Sequence, residues 1–497
     1  MSTRPDGFDQ SPQRGVTLSP AAQSVAAIRT MVMIAGVGWS IAFIVIALIW
    51  RLQLYADGAF FSYAIAVQDV WAFHWHNISG RLSVFLLTLW PAELLVGWTG
   101  SPHAGVMAYG ALFYGAPLVS LVATFYFDRT PGRSFFTVAC ASTALLAPLV
   151  FGFPTEMWIA HALFWPTLTA AHCARQSHRG TLIVFVLMAF LILAHEGALV
   201  LACAVVASLA MRGSQDPKFV RGACVLLAAL VLWGTVKITY RPDDYFAGAY
   251  WRAAFHFFDL GLFTTSIVRI LLATLAGYVA CLWLWRRTAP SPRAPIYAVL
   301  TVALCLAAYW LLFDTSLHAS NRYYMRTLLV VFTPLLGLFA VFAVMNALRA
   351  ERMLNAPTGL LRAATQTQAL TTAFAGAFVL ITLVHGVETA KFLDGWTRYK
   401  HAVQQLAISE LSDPSVGDAR FVSTERISKK LRPLSWFSTT PYLSIVLAGF
   451  RPSRIVVDPS NAYFWLDCTT ATRSADAVLK VPTDARASVR IYSCQHR

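Results

Sequence analysis

Charge is scarce in this chain, and acid is scarcer than base. Of its 497 residues only 13% are charged, with 24 acids against 39 lysines and arginines. Soluble domains carry about 25% charged residues. So few ionic side chains cannot coat a water-soluble surface of this size, which excludes an ordinary soluble enzyme. Cysteine is thin as well: eight residues, with no Cys-x-x-Cys pair and no Cys/His spacing of a zinc site. The opening residues do not read as a secretory leader. Residues 1–30 are polar, carry Arg4, Arg14 and Arg29, and lack a short apolar core with a cleavage site. They read as a cytoplasmic tail ahead of an uncleaved helix. No internal repeat of the kind common in transporters is visible. The net charge of +15 invites a nucleic-acid reading, but no basic stripe with interleaved aromatics supports one.

What is abundant is hydrophobicity, 57% of the chain with a mean hydropathy of +0.58. It comes in blocks such as Met31–Trp50, Ile267–Trp285 and Thr327–Ala347. Each approaches the ~20 residues that cross ~30 Å of hydrocarbon. The sequence therefore predicts a polytopic α-helical membrane protein. Basic residues concentrate at the N-terminus and in the loops Asp128–Arg133, Ala174–Gly180, Arg212–Gly222, Arg286–Arg293 and Arg349–Arg362. Cytoplasmic loops carry the excess of Lys and Arg, so the chain must cross twice between consecutive members. About eleven spans satisfy this: Met31–Trp50, Ala104–Phe127, Ser134–Phe153, Met157–Cys173, Thr181–Ala194, Gly197–Met211, Ala223–Thr239, Ile267–Trp285, Pro295–Phe313, Thr327–Ala347 and Ala369–His385. Leu82–Trp98, interrupted by Pro91 and Glu93, is expected to lie in the outer interface, with a twelfth span as the alternative.

Three regions result: the tail 1–30, a transmembrane domain 31–385 with a large first outer loop 51–103, and an extracytoplasmic C-terminal domain 386–497. The last is more charged and holds short β-like stretches at Ala419–Ser423, Leu443–Ala448 and Arg454–Val457, which predicts a small α/β unit. Thr389–Leu411 reads as a helix continuing from the membrane. Cys140, Cys173, Cys203, Cys224, Cys281 and Cys305 sit in or beside apolar segments as small packing residues. Cys468 and Cys494, in the polar tail, are a disulfide candidate if that tail is extracytoplasmic.

The polar residues inside this pattern fall on the outer side. Asp57 follows the first span, Glu156 follows Pro154, and His195-Glu196 joins two short helices. A single helix through Glu196 would place a carboxylate in lipid, which is costly, so a turn is expected there. Asn321-Arg322-Tyr323-Tyr324-Met325-Arg326 is assigned to the last outer loop before a span. Each acid has a plain alternative role, capping a helix or pairing with a nearby arginine. Several converging on one face point instead to a polar cavity.

The ordered set of pieces resembles the GT-C superfamily of integral-membrane glycosyltransferases, in the branch of protein mannosyltransferases and aminoarabinose transferases. The pieces are Leu54-Tyr55-Ala56-Asp57-Gly58-Ala59-Phe60-Phe61, Phe153-Pro154-Thr155-Glu156-Met157-Trp158, the His195-Glu196 turn, and Asn321–Arg326 ahead of a helix with Pro334. Together they cover about residues 31–347. Many relatives carry a lysine where this chain has His195-Glu196, and two adjacent acids where it has Asp57-Gly58. The resemblance implies a polyprenyl-phosphate sugar donor, a lipid or glycan acceptor and an inner-membrane location. The N-terminus would be cytoplasmic and the C-terminal domain periplasmic. It implies Asp57 and Glu156 as catalytic residues, Arg322 and Arg326 as binders of the donor phosphate, and His195, Glu196 and Tyr323 at the substrate. It leaves open whether a divalent metal ion takes part. A transporter or flippase of a lipid-linked intermediate, or a noncatalytic membrane subunit, is the competing reading.

Overall fold

The computed structural model describes residues 20–71, 81–130, 132–146, 155–213, 215–239, 319–352, 368–408, 421–436, 439–450 and 454–457, with isolated positions between 276 and 304. The chain is mainly helical. The elements in order are α1 Pro20–Trp50, α2 Asp57–Ala66, α3 Leu82–Thr99, α4 Pro102–Phe127, α5 Ser134–Leu146, α6 Glu156–Cys173, α7 His178–Ile192 and α8 Ala198–Ala210. They continue with α9 Pro217–Thr239, α10 Ala319–Arg352, α11 Gln368–Ile408, β1 Phe421–Ser423, α12 Thr440–Leu447 and β2 Ile455–Val457. Among the described residues, five stretches are long and apolar enough to cross a membrane: Ala26–Trp50, Leu82–Thr99, Pro102–Phe127, Pro217–Thr239 and Ala375–Ile408.

The bundle is apolar inside and out. α9 turns Val220, Leu227, Val231 and Ile238 outward, α4 turns Leu112, Val119 and Val122 outward, and α10 turns Leu335 and Phe339 outward. Contiguous exposed apolar surface on this scale suits lipid rather than water. At the centre stands α6. Of its 18 residues all but Leu163 and Cys173 are buried, because α4, α5, α7, α8 and α10 pack around it. Small residues set the close crossings. A Cβ on Gly36 of α1 would lie 2.5 Å from Cys140 of α5, and one on Gly337 of α10 would lie 2.5 Å from the Phe164 ring of α6.

The helices gather two distinct ends. At one, Arg29 lies against Gly132, Arg129 approaches Cys173, and Arg221 donates to the carbonyls of Arg175 and Ala171. The basic loops 128–133, 174–177 and 212–217 thus meet at one end, called here the basic end. At the other, Trp50 closes α1, Glu156 opens α6, Glu196 sits in the α7–α8 turn and Lys237 lies near the end of α9. α3 belongs to this second end at both of its termini. Ser83 donates from Oγ to the Phe190 carbonyl at 2.7 Å and from N to the Leu193 carbonyl at 3.3 Å, at the close of α7. Its far terminus stops at Gly100, whose φ of +65° favours glycine. Ser101 then caps α4, accepting from Ala104 N, and Ala92 and Val96 pack on Gly105 of α4.

Several boundaries differ from those expected. α10 begins at Ala319, so Asn321–Arg326 are helical rather than loop. α11 runs unbroken through residues 385 and 386 to Ile408. Leu443–Ala448 is not a strand but most of α12. Pro441 starts that helix, and its apolar run is buried all round rather than alternating, which removes the two-residue signature of a half-buried strand. β1 and β2 pair in parallel, with Phe421, Val422 and Ser423 opposite Ile455, Val456 and Val457. α12 packs on α2 through Tyr442, whose ring lies edge-on to Phe60 at 5.2 Å and tilted against Tyr63 at 5.1 Å.

Candidate functional site

Four segments far apart in sequence converge at the end opposite the basic loops. Arg81 precedes α3, Glu156 opens α6, Glu196 sits in the α7–α8 turn, and Lys237 lies two residues before the close of α9. Arg81 stands between the carboxylates. Its Nη1 donates to Glu156 Oε1 at 2.9 Å, and its Nη2 and Nε donate to Glu196 Oε2 at 2.8 and 3.1 Å. Lys237 Nζ donates to the other oxygen, Glu196 Oε1, at 2.8 Å. Side-chain exposures are 14% for Arg81, 5% for Glu156, 17% for Glu196 and 13% for Lys237. Charges so withdrawn are tolerated only when paired and hydrogen-bonded. Two cations against two carboxylates satisfy that condition.

The Glu196 carboxyl is the most constrained of the four. Burial by itself would push it up, but Arg81, His195 and Lys237 together outweigh burial and hold it well below the usual carboxylate range. The His195 Nδ1 accepts from the Gly197 N–H at 2.9 Å. Its 3.7 Å approach to Glu196 is too long for a hydrogen bond. Gly197 allows the turn to seat, since a Cβ there would fall 3.0 Å from Val330 of α10 and 3.1 Å from Met157 Sδ.

Asp57 occupies a neighbouring position. It is the first residue of α2, where the helix N-terminus favours negative charge, and it is half-buried. The chain reaches it through a strained link. Arg51 has φ 53°, and Ala56 has φ 48° with ψ −129°, a region that costs a residue with a side chain on the order of 1–3 kcal/mol. α11 holds that link in place. Trp396 Nε1 donates to the Trp50 carbonyl at 3.0 Å, Lys400 Nζ donates to the same oxygen, and Tyr55 packs edge-on to Phe392 and Trp396. α2 packs on α4, with the Phe61 and Tyr109 ring centroids 6.3 Å apart.

Arg322, Tyr323 and Arg326 ride on α10. Val330 of that helix faces Gly197, which places the backbone of Arg326 one turn and that of Arg322 two turns beyond the Glu196 turn, roughly 6 and 12 Å along the axis. Cys468 and Cys494 lie outside the described residues. Arg81 and Lys237 are the members that sequence reasoning left without a role. Gln53 Oε1, Thr155 Oγ1 and Trp158 Nε1 are buried with no hydrogen-bond partner among the described residues. Buried polar atoms are rarely left so, and these three sit near Asp57 and Glu156 in the chain.

The carboxylates do not fit a divalent ion as they stand. Arg81 occupies the position between Glu156 and Glu196 that a shared metal would need, and Lys237 takes the remaining Glu196 oxygen. Among the described residues no three His, Cys, Asp or Glu side chains converge as metal ligands. No family model matches this chain, and no curated protein matches it.

Proposed function

We propose that this chain is a membrane glycosyltransferase of about eleven spans that moves a sugar from a polyprenyl-phosphate donor to an envelope acceptor at the outer face of the inner membrane. The observation that carries this reading is the convergence, at the end opposite the basic loops, of Glu156 and Glu196 with a buried guanidinium and a buried ammonium, at the end where Asp57 opens α2. The positive-inside rule makes that end the outer one. Asp57 acts as the base that accepts the acceptor hydroxyl's proton. As the sugar–phosphate bond breaks, negative charge grows on the departing phosphate, and cations aimed at it lower the barrier. Arg326 and Arg322, one and two turns along α10, supply that charge at the donor entrance, and Arg81 and Lys237 supply it deeper in the bundle. Lys237 reaches the His195-Glu196 turn from α9, so this chain brings a lysine to the turn from another helix. Glu156 orients the acceptor, and His195 and Tyr323 line its approach.

The test compares envelope glycolipids and glycans by mass spectrometry in a gene deletion complemented with wild type or with Asp57→Asn at matched protein level. Loss of one sugar mass on deletion, restored by wild type and not by Asp57→Asn, is expected. Full restoration by Asp57→Asn would remove Asp57 as the base. The buried ion cluster favours one second reading, a transporter of a lipid-linked intermediate, since charges inside a bundle also mark substrate paths. On that reading Asp57→Asn keeps function while Arg81→Gln loses it.

A further inference from the structure

At the basic end, a cavity opens between the first turns of α7 and α9, lined by Gln176, Ser177, His178, Gln215, Val220 and Arg221. Three features of this cavity point the same way. The first is charge of one sign. Arg221 lines it, and Arg175, Arg179, Arg212 and Lys218 lie within three residues of its lining residues in the chain, with the Lys218 ammonium donating to the His172 carbonyl; the one acid, Asp216, is paired to Arg212 at 2.9 Å. The other four cations form no ion pair among the described residues, and Arg175 and Arg179 are exposed. Arg221 spends two of its five N–H donors on the carbonyls closing α6. The second is the start of α7 itself. Ser177 caps it through Gly180 N, while the first-turn N–H groups of a helix lack intrahelical acceptors and favour an anion.

The third feature separates a lipid from a free anion. Below the polar rim the cavity wall becomes Val220 and Thr181. From there, outward-facing apolar stripes continue along both helices, with Leu182 and Val186 on α7 and Val220, Leu227 and Val231 on α9. These spacings of four and seven residues keep each stripe on one helical face. α7 and α9 pack side by side, so the stripes run together away from the cation rim. A cationic rim over a two-helix apolar slot fits a molecule with an anionic head and an acyl tail. A soluble phosphate would use only the rim.

We infer that this slot binds the phosphate headgroup of an anionic membrane phospholipid, with the acyl chain lying along α7 and α9. The site is distant from the Asp57 and Arg81 end and stands independently of the glycosyltransferase reading.

The probe experiment uses the full chain purified in neutral detergent, with native mass spectrometry to count retained lipid. Dioleoyl phosphatidylglycerol, dioleoyl phosphatidylcholine and inorganic phosphate are titrated in turn. Phosphatidylglycerol is expected to bind at least tenfold more tightly than phosphatidylcholine. Arg175→Gln with Arg179→Gln, both exposed positions, should weaken phosphatidylglycerol by about fivefold per cation removed, which is about 1 kcal/mol each. Val220→Gln should weaken it without touching a cation, and serves if the double arginine variant does not fold. Equal binding of the two lipids, or unchanged binding in both variants, overturns the site. Displacement of phosphatidylglycerol by millimolar inorganic phosphate at equal occupancy overturns the lipid as its occupant.

Discussion

The two ends of this bundle spend charge in opposite ways. At the basic end, Arg133 and Arg221 lean on helix-end carbonyls, their neighbours face outward, and nearly all the charge is of one sign. At the other end two cations and two carboxylates are withdrawn from solvent and joined across four segments. Exposed charge of one sign orients a membrane protein and can be moved within its loop at little cost. Buried, balanced charge demands specific partners, because each ion removed leaves another uncompensated. The ends therefore differ in how far a single substitution should propagate.

Arg81→Ala should have the largest effect, since it strands Glu156 and leaves Glu196 to Lys237 alone. Loss of about 3–5 kcal/mol is expected, read as a lowered thermal midpoint in detergent. An effect no larger than at the basic end would erase the contrast. Tyr442→Leu should come next, removing two aromatic contacts worth about 0.5–1.5 kcal/mol each and raising hydrogen exchange across residues 57–66. Glu196→Gln should act through pH. The folded carboxyl is held below its ordinary range, so it contributes stability above its unfolded pKa, and that contribution is lost as pH falls through the folded value. Wild type should therefore lose stability on acidification below the usual carboxylate range, with a shallower loss in Glu196→Gln. Equal slopes would mean that Glu196 is not stabilised by its cations. Arg398→Ala should be smallest. Its partner Asp394 is one helical turn away at 2.8 Å, and both side chains are more than half exposed, so about 0.3–0.5 kcal/mol is expected.

Asp57, Glu156 and Glu196 were legible in the sequence because an acid beside a long apolar run is conspicuous and demands a partner. Their partners were not. Arg81 is 75 residues from Glu156 and 115 from Glu196, and no local pattern links them. Lys237 ends a span-length apolar run, where a lysine reads as an interfacial anchor. The membrane class was legible from run length, and the gathering of the basic loops from their charge. The helical state of Asn321–Arg326 was not, because polar residues flanking a span look alike in a loop and in a helix extended past the bilayer. The strand expected at Leu443–Ala448 failed because a short apolar run buried on every side carries no period.

α11 has 41 residues without a break, roughly 61 Å at 1.5 Å per residue. One stretch of it braces Trp50 beside the bundle, and a later one receives a hydrogen bond from Arg454 N through the Ala407 carbonyl. The unit on α2 is thus mounted on a shaft, not tethered by a cord. On a shaft, length and angle cannot be set separately. One residue inserted between Lys400 and Ala407 would lift that attachment by about 1.5 Å and turn it by about 100°, carrying Tyr442 off the helix that begins with Asp57. Three or four inserted residues would bring the phase nearly full circle, so tolerance to insertion along α11 should rise and fall with the helical period.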